Sequence, residues 1–489
     1  MPRLRKATRE HLSILLFLLA SAIFLFADAK VPPIALPDEA RNAINALEMH
    51  IRGFSLVTTF NFQPELWNTK PPLLIWLMAG SMDLFGPSEL ALRLPAALAG
   101  MGILCCTLLF VRRVTGSLAT AIAAAAILLL SPGFFGEHGA RTADFDGPLT
   151  FFVTAGLQLL FFTVHQARPG VRRMLAVGGL VATGALTKTI AAFIPVAGVL
   201  VYLVAVGRFG RVLSLWQRYA IAAVTAVTPL LIFYAAREAA GPGYLAAVIH
   251  NDILGRFNQA LVEPTTPIYY VRELFPGWFV AGPFLIAAPL AWAGCSSREK
   301  LLFLYSASIA VTALAVLSAA SSRAVQYALP TFPWLGIIAV LTLRYLGRFV
   351  VRAWRDRKAA EALVLGAALA LACGQLTYRA ATWRYERFPA RQFYAQATYG
   401  DLFAALSAEG IRTVTVVDPG VIHLGRPGYT PMLRWNQLIW AEKGLKASHL
   451  YTMRAGLRGP LASCEPTVIR RWSGRGFQRI GSCALLRNA

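Results

Sequence analysis

Apolar runs long enough to cross a bilayer recur through most of this chain, and they decide what it can fold into. A helix crosses the hydrocarbon core with about 20 apolar residues. Inside that core every backbone polar group must be paired within its own segment, so such runs read as helices. They lie at 12–27, 90–111, 118–130, 149–164, 176–187, 190–206, 220–236, 277–293, 301–319, 327–343 and 359–376. These make about 11 spans, with an upper bound of about 13, since the runs at 118–130 and 176–187 are short. A hydrophobic share of 56% and a mean hydropathy of +0.55 over 489 residues are too apolar for a soluble protein. The chain reads as an α-helical polytopic membrane protein.

A formal charge of +23 raises nucleic acid as a partner, but the distribution of the charge argues against it. Arg3, Arg5, Lys6 and Arg9 precede the first span, and Arg112 and Arg113 follow the second. Further basic groups are Arg168, Arg172 and Arg173, then Arg208, Arg211 and Arg218, then Arg298 and Lys300, then Arg344 to Lys358. Every second connection is therefore short and basic, the pattern of cytoplasmic loops. The N-terminus is expected inside, with the first segment retained as a span, because no small-x-small cleavage site follows it. The long loops at 28–89, 134–148 and 237–276, and the region after 379, then face outward. They hold nearly all the carboxylates, leaving only Glu10, Glu299, Asp356 and Glu361 inside. A site on this protein is expected on the outer face.

Residues 1–378 read as the membrane body, and 379–489 as a small periplasmic α/β domain. In that tail, 401–409 has helical spacing, and 413–417, 466–472 and 477–486 read as strands. Cys464 and Cys483 share this outer region and form a disulfide if it is oxidising. No C-x-x-C metal spacing is present. In the first outer loop, Ala40, Ala43, Ile44, Leu47 and Ile51 recur at helical spacing, an amphipathic helix along the interface with Asp38 near its N-cap. Pro71 and Pro72 open a second helix, which stops at Gly86-Pro87.

Several short motifs follow one another on this face. They are Asp38-Glu39-x-Arg41, Lys70-Pro71-Pro72-Leu73-x-x-Trp76-Leu77, Leu84-Phe85-Gly86 and Arg93-Leu94-Pro95. Then come Arg141-x-x-x-x-Asp146-x-Pro148, Ala185-Leu186-Thr187-Lys188, Asn251-x-x-x-x-Arg256-Phe257, Tyr269-Tyr270 and Tyr327-x-Leu329-Pro330. In this order they resemble the GT-C glycosyltransferases, and most closely the lipid A aminoarabinose transferases and protein O-mannosyltransferases. The resemblance covers about residues 38–333 and implies a GT-C fold. It also implies inverting transfer of a sugar from a polyprenyl-phosphate carrier to an acceptor at the outer face of a bacterial inner membrane. The implied partners are the lipid-linked donor, a glycolipid acceptor such as lipid A or lipopolysaccharide core, and membrane lipids.

The residues suit that chemistry. Inverting transfer needs a base to take the acceptor's proton. Asp38 is the candidate base, with Glu39 beside it and Asp146 to bind sugar or orient the base. As an alternative, Asp38 is a plain helix cap worth about 1 kcal/mol. The leaving lipid phosphate needs fixed cations. Arg41, Lys70, Lys188 and Arg256 are placed to supply them, and Tyr270 and Tyr327 to donate hydrogen bonds. Lys188 sits between two apolar runs with no acid near it in sequence; its alternative is snorkelling to the surface. Asp144 reads as part of a solvated turn. Relatives of the aminoarabinose type carry a glutamate and a histidine, able to hold a metal, where this chain has Thr69 and Asn251. Asn42 replaces their commoner tyrosine. No cofactor and no tightly held metal are therefore expected, although Asp38, Glu39 and Asp146 could assemble a weak divalent site. Rival readings are transfer to a protein hydroxyl, a flippase for lipid-linked sugars, and a headgroup-binding scaffold. The flippase lacks the internal repeats and broken mid-membrane helices that transporters commonly show.

Overall fold

A computed structural model of the chain describes residues 2–27, 34, 37–66, 68–254, 266 and 268–355; beyond these it describes four strands and isolated positions. The described body is helical. Seven helices are long and apolar enough to span a membrane: Thr8–Phe26, Glu89–Thr115, Asp146–Val164, Val171–Ala192, Trp216–Ala240, Ser297–Ala319 and Val325–Arg352. Four shorter apolar helices accompany them, Leu73–Phe85, Leu118–Leu129, Ile194–Ala205 and Gly282–Ala293. The last three coincide with expected spans. The run at 359–376 lies outside the described residues.

Local chemistry sets the helix ends. Ser88 caps Glu89–Thr115 by accepting the Ala91 N–H at 3.2 Å, and Ser117 caps Leu118–Leu129 through Thr120 at 3.2 Å. Each such cap stabilises by about 1 kcal/mol. Asp146–Val164 packs between Glu89–Thr115 and Val171–Lys188, and Trp216–Ala240 lies along the latter. Ile194–Ala205 packs on Ser297–Ala319 so closely that a Cβ at Gly198 would meet the backbone of Ser308 and Ile309. Lipid tails offer no hydrophobic drive between helices, so close approach through small residues supplies the packing. Phe110, Phe161, Tyr202, Tyr305 and Trp334 form an edge-to-face cluster inside the bundle, with centroid spacings of 4.9–5.6 Å between Phe110 and Phe161, Phe161 and Tyr305, Tyr202 and Tyr305, and Tyr305 and Trp334.

Ion pairs put the basic connections at one end. Arg112 donates to Glu10 at 2.6 Å, and Arg344 pairs with Glu299. Arg208 reaches the Val164 carbonyl at 3.2 Å. The opposite end carries a second, separate hydrophobic layer built on Pro37–Arg52 and Leu73–Phe85. Pro37–Arg52 was expected to lie along the interface. Instead its polar face is buried as well: Asn42, Asn45 and Glu48 are all covered. Asn45 donates to the Thr59 carbonyl at 2.6 Å and to Glu65 at 2.8 Å, while Glu48 accepts from the Thr59 hydroxyl at 2.7 Å and the Phe62 N–H at 3.0 Å. The hairpin Thr59–Phe60 and Gln63–Pro64 folds back over the helix and supplies these partners. These bonds offset most of the cost of burying the polar face, although the second Glu48 carboxylate oxygen is buried without a hydrogen bond.

Four strands are described in the tail. Thr413–Asp418 pairs in parallel with Lys446–Tyr451, and Val468–Trp472 pairs antiparallel with Phe477–Ser482. Three match expected strands; Lys446–Tyr451 was not expected, since Lys446, Ser448 and His449 break any apolar alternation. Trp435 and Ile439 from this region pack into the outer layer beside Pro37–Arg52, and the Trp435 indole N–H donates to Glu89 at 3.4 Å. Cys464 and Cys483 lie outside the described residues.

Candidate active site

Asp38 sits in the first turn of Pro37–Arg52 with its side chain exposed. The same helix fixes what faces it. Glu39 is fully buried and accepts the Ala143 N–H at 3.0 Å, while Asn42, three residues on and so on the same helical face, donates to the Ala143 carbonyl at 3.0 Å. The backbone of Ala143 is thus held at both its N–H and its carbonyl, which brings Asp144 and Asp146 up to Asp38. Glu39 is itself held by Arg93, which forks onto both carboxylate oxygens at 2.7 and 3.0 Å. The grouping of Glu39 with Asp38 as a reacting acid is corrected by this burial: Glu39 is a strut. Arg141 is likewise structural. It donates to the carbonyls of Phe24, Leu25 and Ala27 at 2.9, 3.1 and 2.9 Å, capping the first span's C-terminus.

Two cavities meet here. A polar pocket of about 60 Å³ is lined by Asp38, Arg41, Asn42, Asn68, His138, Asp144 and Gln326, among others. A larger, apolar groove of about 160 Å³ runs along Leu149, Ile190, Ile194, Val316, Leu317 and Pro330, with Asp252 at its edge. Lys70, Asp146, Lys188 and Tyr327 line both. They therefore mark the junction between a hydrocarbon-lined channel and a charged chamber.

Lys188 has the acidic partner that its sequence neighbourhood lacks. It contacts both oxygens of Asp146 at 2.6 and 2.7 Å and lies over the Tyr327 ring at 4.8 Å. It does not snorkel, because the residue that compensates it is 42 positions away in sequence. Lys70 lies 5.2 Å from the centre of the Phe145 ring. Arg41 lines the polar pocket, but its Nε is 3.3 Å from Glu65. Burial pushes the Glu65 carboxyl up despite Arg41. Tyr270 is not in either cavity. It is buried in the bundle core and donates to the Ala324 carbonyl at 3.2 Å, anchoring the turn before Tyr327. Arg256 falls outside the described residues.

Asp144 is not a solvated turn residue. It is buried and paired with His138, whose Nδ1 faces its carboxylate. Burial would raise Asp144 and lower His138, but each overrides that in the other: Asp144 is lowered to about 2 and His138 raised to about 9. Asp144 also accepts the Phe145 N–H at 2.7 Å. His138 adopts φ 58°, a left-handed conformation that is rare for a residue with a side chain. His138 and Asp144 are the site residues that the sequence reading missed. The available signal was a histidine three residues before Arg141 in an outward loop, which no helical or strand period brings near Asp38.

Thr69 and Asn251 are both engaged in hydrogen bonds. The Thr69 hydroxyl donates to Asp252 at 2.5 Å, and the Asn251 amide donates to the Leu66 carbonyl at 3.3 Å. Tyr244 adds a hydrogen bond to the Thr69 carbonyl at 2.6 Å. These hydrogen bonds tie the Lys70 segment to the 244–252 region. Asp252, unremarked in the sequence, is the acceptor for Thr69.

Residues 69–235 match the family model of the dolichyl-phosphate-mannose-protein mannosyltransferases. The fold resembles that of ArnT from Cupriavidus metallidurans, solved bound to undecaprenyl phosphate, with a TM-score of 0.65 at 17% identity over 89% of each chain. The chain resembles the GT-C glycosyltransferases. The oligosaccharyltransferase AglB from Archaeoglobus fulgidus aligns with a TM-score of 0.51 at 16% identity, over 81% of this chain and 58% of that one. At such identities the likeness is one of fold. In sequence, an undecaprenyl phosphate-alpha-4-amino-4-deoxy-L-arabinose arabinosyl transferase of Shewanella sediminis is 27% identical over 338 residues, 68% of this chain and 58% of that protein. An uncharacterized protein of Aquifex aeolicus is 31% identical over 188 residues, 38% of this chain and 36% of that one. The chain spans less than two thirds of the length of either relative. The membrane-spanning helical architecture and the resemblance expected from the motifs are both borne out.

Proposed function

We propose that this protein is an inverting glycosyltransferase that takes a sugar from a polyprenyl-phosphate carrier and gives it to a glycolipid acceptor, lipid A or lipopolysaccharide core, at the periplasmic face. One observation carries the reading: Lys70, Lys188 and Tyr327 stand where an apolar groove opens into a polar chamber holding Asp38. That arrangement suits a ligand with a hydrocarbon chain, an anionic link and a sugar, in that order. The lipid would lie along Leu149, Ile190 and Val316, its phosphate against the two lysines, and its sugar toward Asp38.

The chemistry follows from those positions. Asp38 accepts the proton of the acceptor hydroxyl as that oxygen bonds to the anomeric carbon. The bond from that carbon to the phosphate oxygen breaks, and the phosphate leaves with both electrons. Lys70 and Lys188 stabilise it in a chamber where water screens little. Asp146 offsets the charge of Lys188, so Lys188 acts chiefly as a hydrogen-bond donor of fixed direction. The ArnT structure with undecaprenyl phosphate supports the carrier class, and the arabinosyl transferase relative supports the reaction class.

The test is transfer by purified protein in detergent, with undecaprenyl-phosphate sugars as donors and lipid A, core lipopolysaccharide or a serine-rich peptide as acceptors, read by mass spectrometry. Glycolipid product that disappears in Asp38→Asn is the expected result. Transfer to the peptide alone moves the acceptor to protein hydroxyls, and no product from any donor overturns the reading.

A further inference from the structure

We propose that the basic end of the bundle carries a binding site for the headgroup of an anionic phospholipid, formed where the connections 165–173 and 206–218 meet. Six arginines stand on these two connections: Arg168, Arg172, Arg173, Arg208, Arg211 and Arg218. The connections are joined across the fold, because Arg208 donates to the Val164 carbonyl at 3.2 Å and Arg211 to the Ala167 carbonyl at 3.2 Å. Both bonds set a cation at the C-terminal end of Asp146–Val164, where the helix dipole favours it. Arg208 is half-buried, and the other five side chains are exposed. No carboxylate occurs between Asp146 and Glu238 in the sequence. The acids described at this end, Glu10 and Glu299, are taken by Arg112 and Arg344.

The charge rule for loop placement does not account for this arrangement. That rule counts lysine and arginine alike, yet all six cations are arginine, whose planar fork matches a phosphate bidentately. Arg172, Arg173 and Arg218 stand in the first turns of Val171–Lys188 and Trp216–Ala240, where the helix dipole disfavours a cation. A bound phosphodiester relieves that conflict and the repulsion within the cluster. The apolar side chains decide between a lipid and other anions. Phe209, Leu213 and Trp216 are exposed among the arginines of the second connection. Leu175, three residues on from Arg172 and so on the same helical face, is exposed too. The two helices pack closely, since a Cβ at Gly178 would meet the Ala222 carbonyl and the Thr225 side chain. They offer one edge with arginines at its polar end, a tryptophan at the boundary and hydrocarbon beyond, which matches the profile of a phospholipid. A nucleic acid or a free phosphate would leave the apolar part uncovered.

The readout needs neither sugar donor nor acceptor, so its outcome is separate from that of the transferase reading. Full-length protein is delipidated in detergent and titrated with phosphatidylglycerol or phosphatidylethanolamine, and lipid-bound species are counted by native mass spectrometry. Phosphatidylglycerol should bind at least about tenfold more tightly than the zwitterionic lipid. An arginine beside an anionic lipid surface strengthens attraction about fivefold, so Arg168→Gln/Arg172→Gln/Arg173→Gln should weaken phosphatidylglycerol binding at least about tenfold. Arg211→Gln/Arg218→Gln, on the other connection, should weaken it at least about fivefold, and carries the test alone where the triple variant misfolds. Arg348→Gln/Arg352→Gln/Arg355→Gln removes the same charge from exposed positions of Phe332–Arg355 and should bind as wild type does. Each variant is first checked for an unchanged size-exclusion profile. Equal affinity for the two lipids, equal loss in the Phe332–Arg355 control, or displacement of the lipid by inorganic phosphate overturns the proposal.

Discussion

Replacing Arg93 by leucine strands a carboxylate inside the outer layer. Glu39 is fully buried, and Arg93 supplies two of its three hydrogen bonds, leaving only the Ala143 N–H. Removing one member of a buried pair costs about 3–5 kcal/mol, because the remaining charge is desolvated without compensation. Removing both, in Glu39→Leu/Arg93→Leu, avoids that cost, and apolar replacement of a whole pair is often neutral. The Ala143 N–H is then the orphan, at about 1–3 kcal/mol. The single variant should therefore be less stable than the double. Equilibrium unfolding in mixed micelles, with rising detergent fraction and tryptophan fluorescence as the probe, measures both. If Arg93→Leu is as stable as the double variant, or within about 1 kcal/mol of wild type, Glu39 is not held as an ion and its role as a strut is wrong. The double variant should also transfer poorly for its stability, since among the described residues Asn42 alone then hydrogen-bonds Ala143 to the Asp38 helix.

Asp38→Asn should reduce transfer by about 10²–10⁴-fold, the range for loss of a general base, while the protein inserts normally; activity within tenfold of wild type refutes the assignment. Lys188→Ala should destabilise by about 3–5 kcal/mol because Asp146 loses its partner, and adding Asp146→Ala should restore stability without restoring carrier-phosphate binding; recovered binding in the double variant would remove Lys188 from the phosphate site. In chelator, the stability difference between wild type and His138→Gln should be full between about pH 4 and 6.5, the ordinary values of the two groups. It should shrink as pH rises through about 9, where His138 loses its proton, and as pH falls through about 2, where Asp144 gains one. A difference that persists unchanged at pH 10 means the pair is not ionic. Glu137→Cys, in the second outer loop, should react with an impermeant thiol reagent in intact spheroplasts; labelling only after lysis would invert the topology.

The sequence by itself determined the class of fold and the end of the bundle that holds the candidate residues. Apolar runs of spanning length admit helices only, because the bilayer offers backbone groups no other partner. Basic alternate loops fixed which ends lie together, and Glu10 with Arg112 and Glu299 with Arg344 meet at that shared end. Motif order carried the reading to Asp38, Lys70, Asp146 and Lys188, and all four line the two joined cavities. What the sequence does not contain is which charges cancel. Glu39 and Arg93 are 54 positions apart, and Lys188 and Asp146 are 42 apart. No local period relates such residues, yet their pairing decides which cation is neutralised, which acid is a strut, and which stays open for chemistry. His138 joined the site for the same reason, through a left-handed turn closed by the Gly139 N–H to Gly136 and Ala140 N–H to Phe134 carbonyl bonds. Electrostatic roles at short range depend on distances of a few ångströms across the fold, and only tertiary structure sets those.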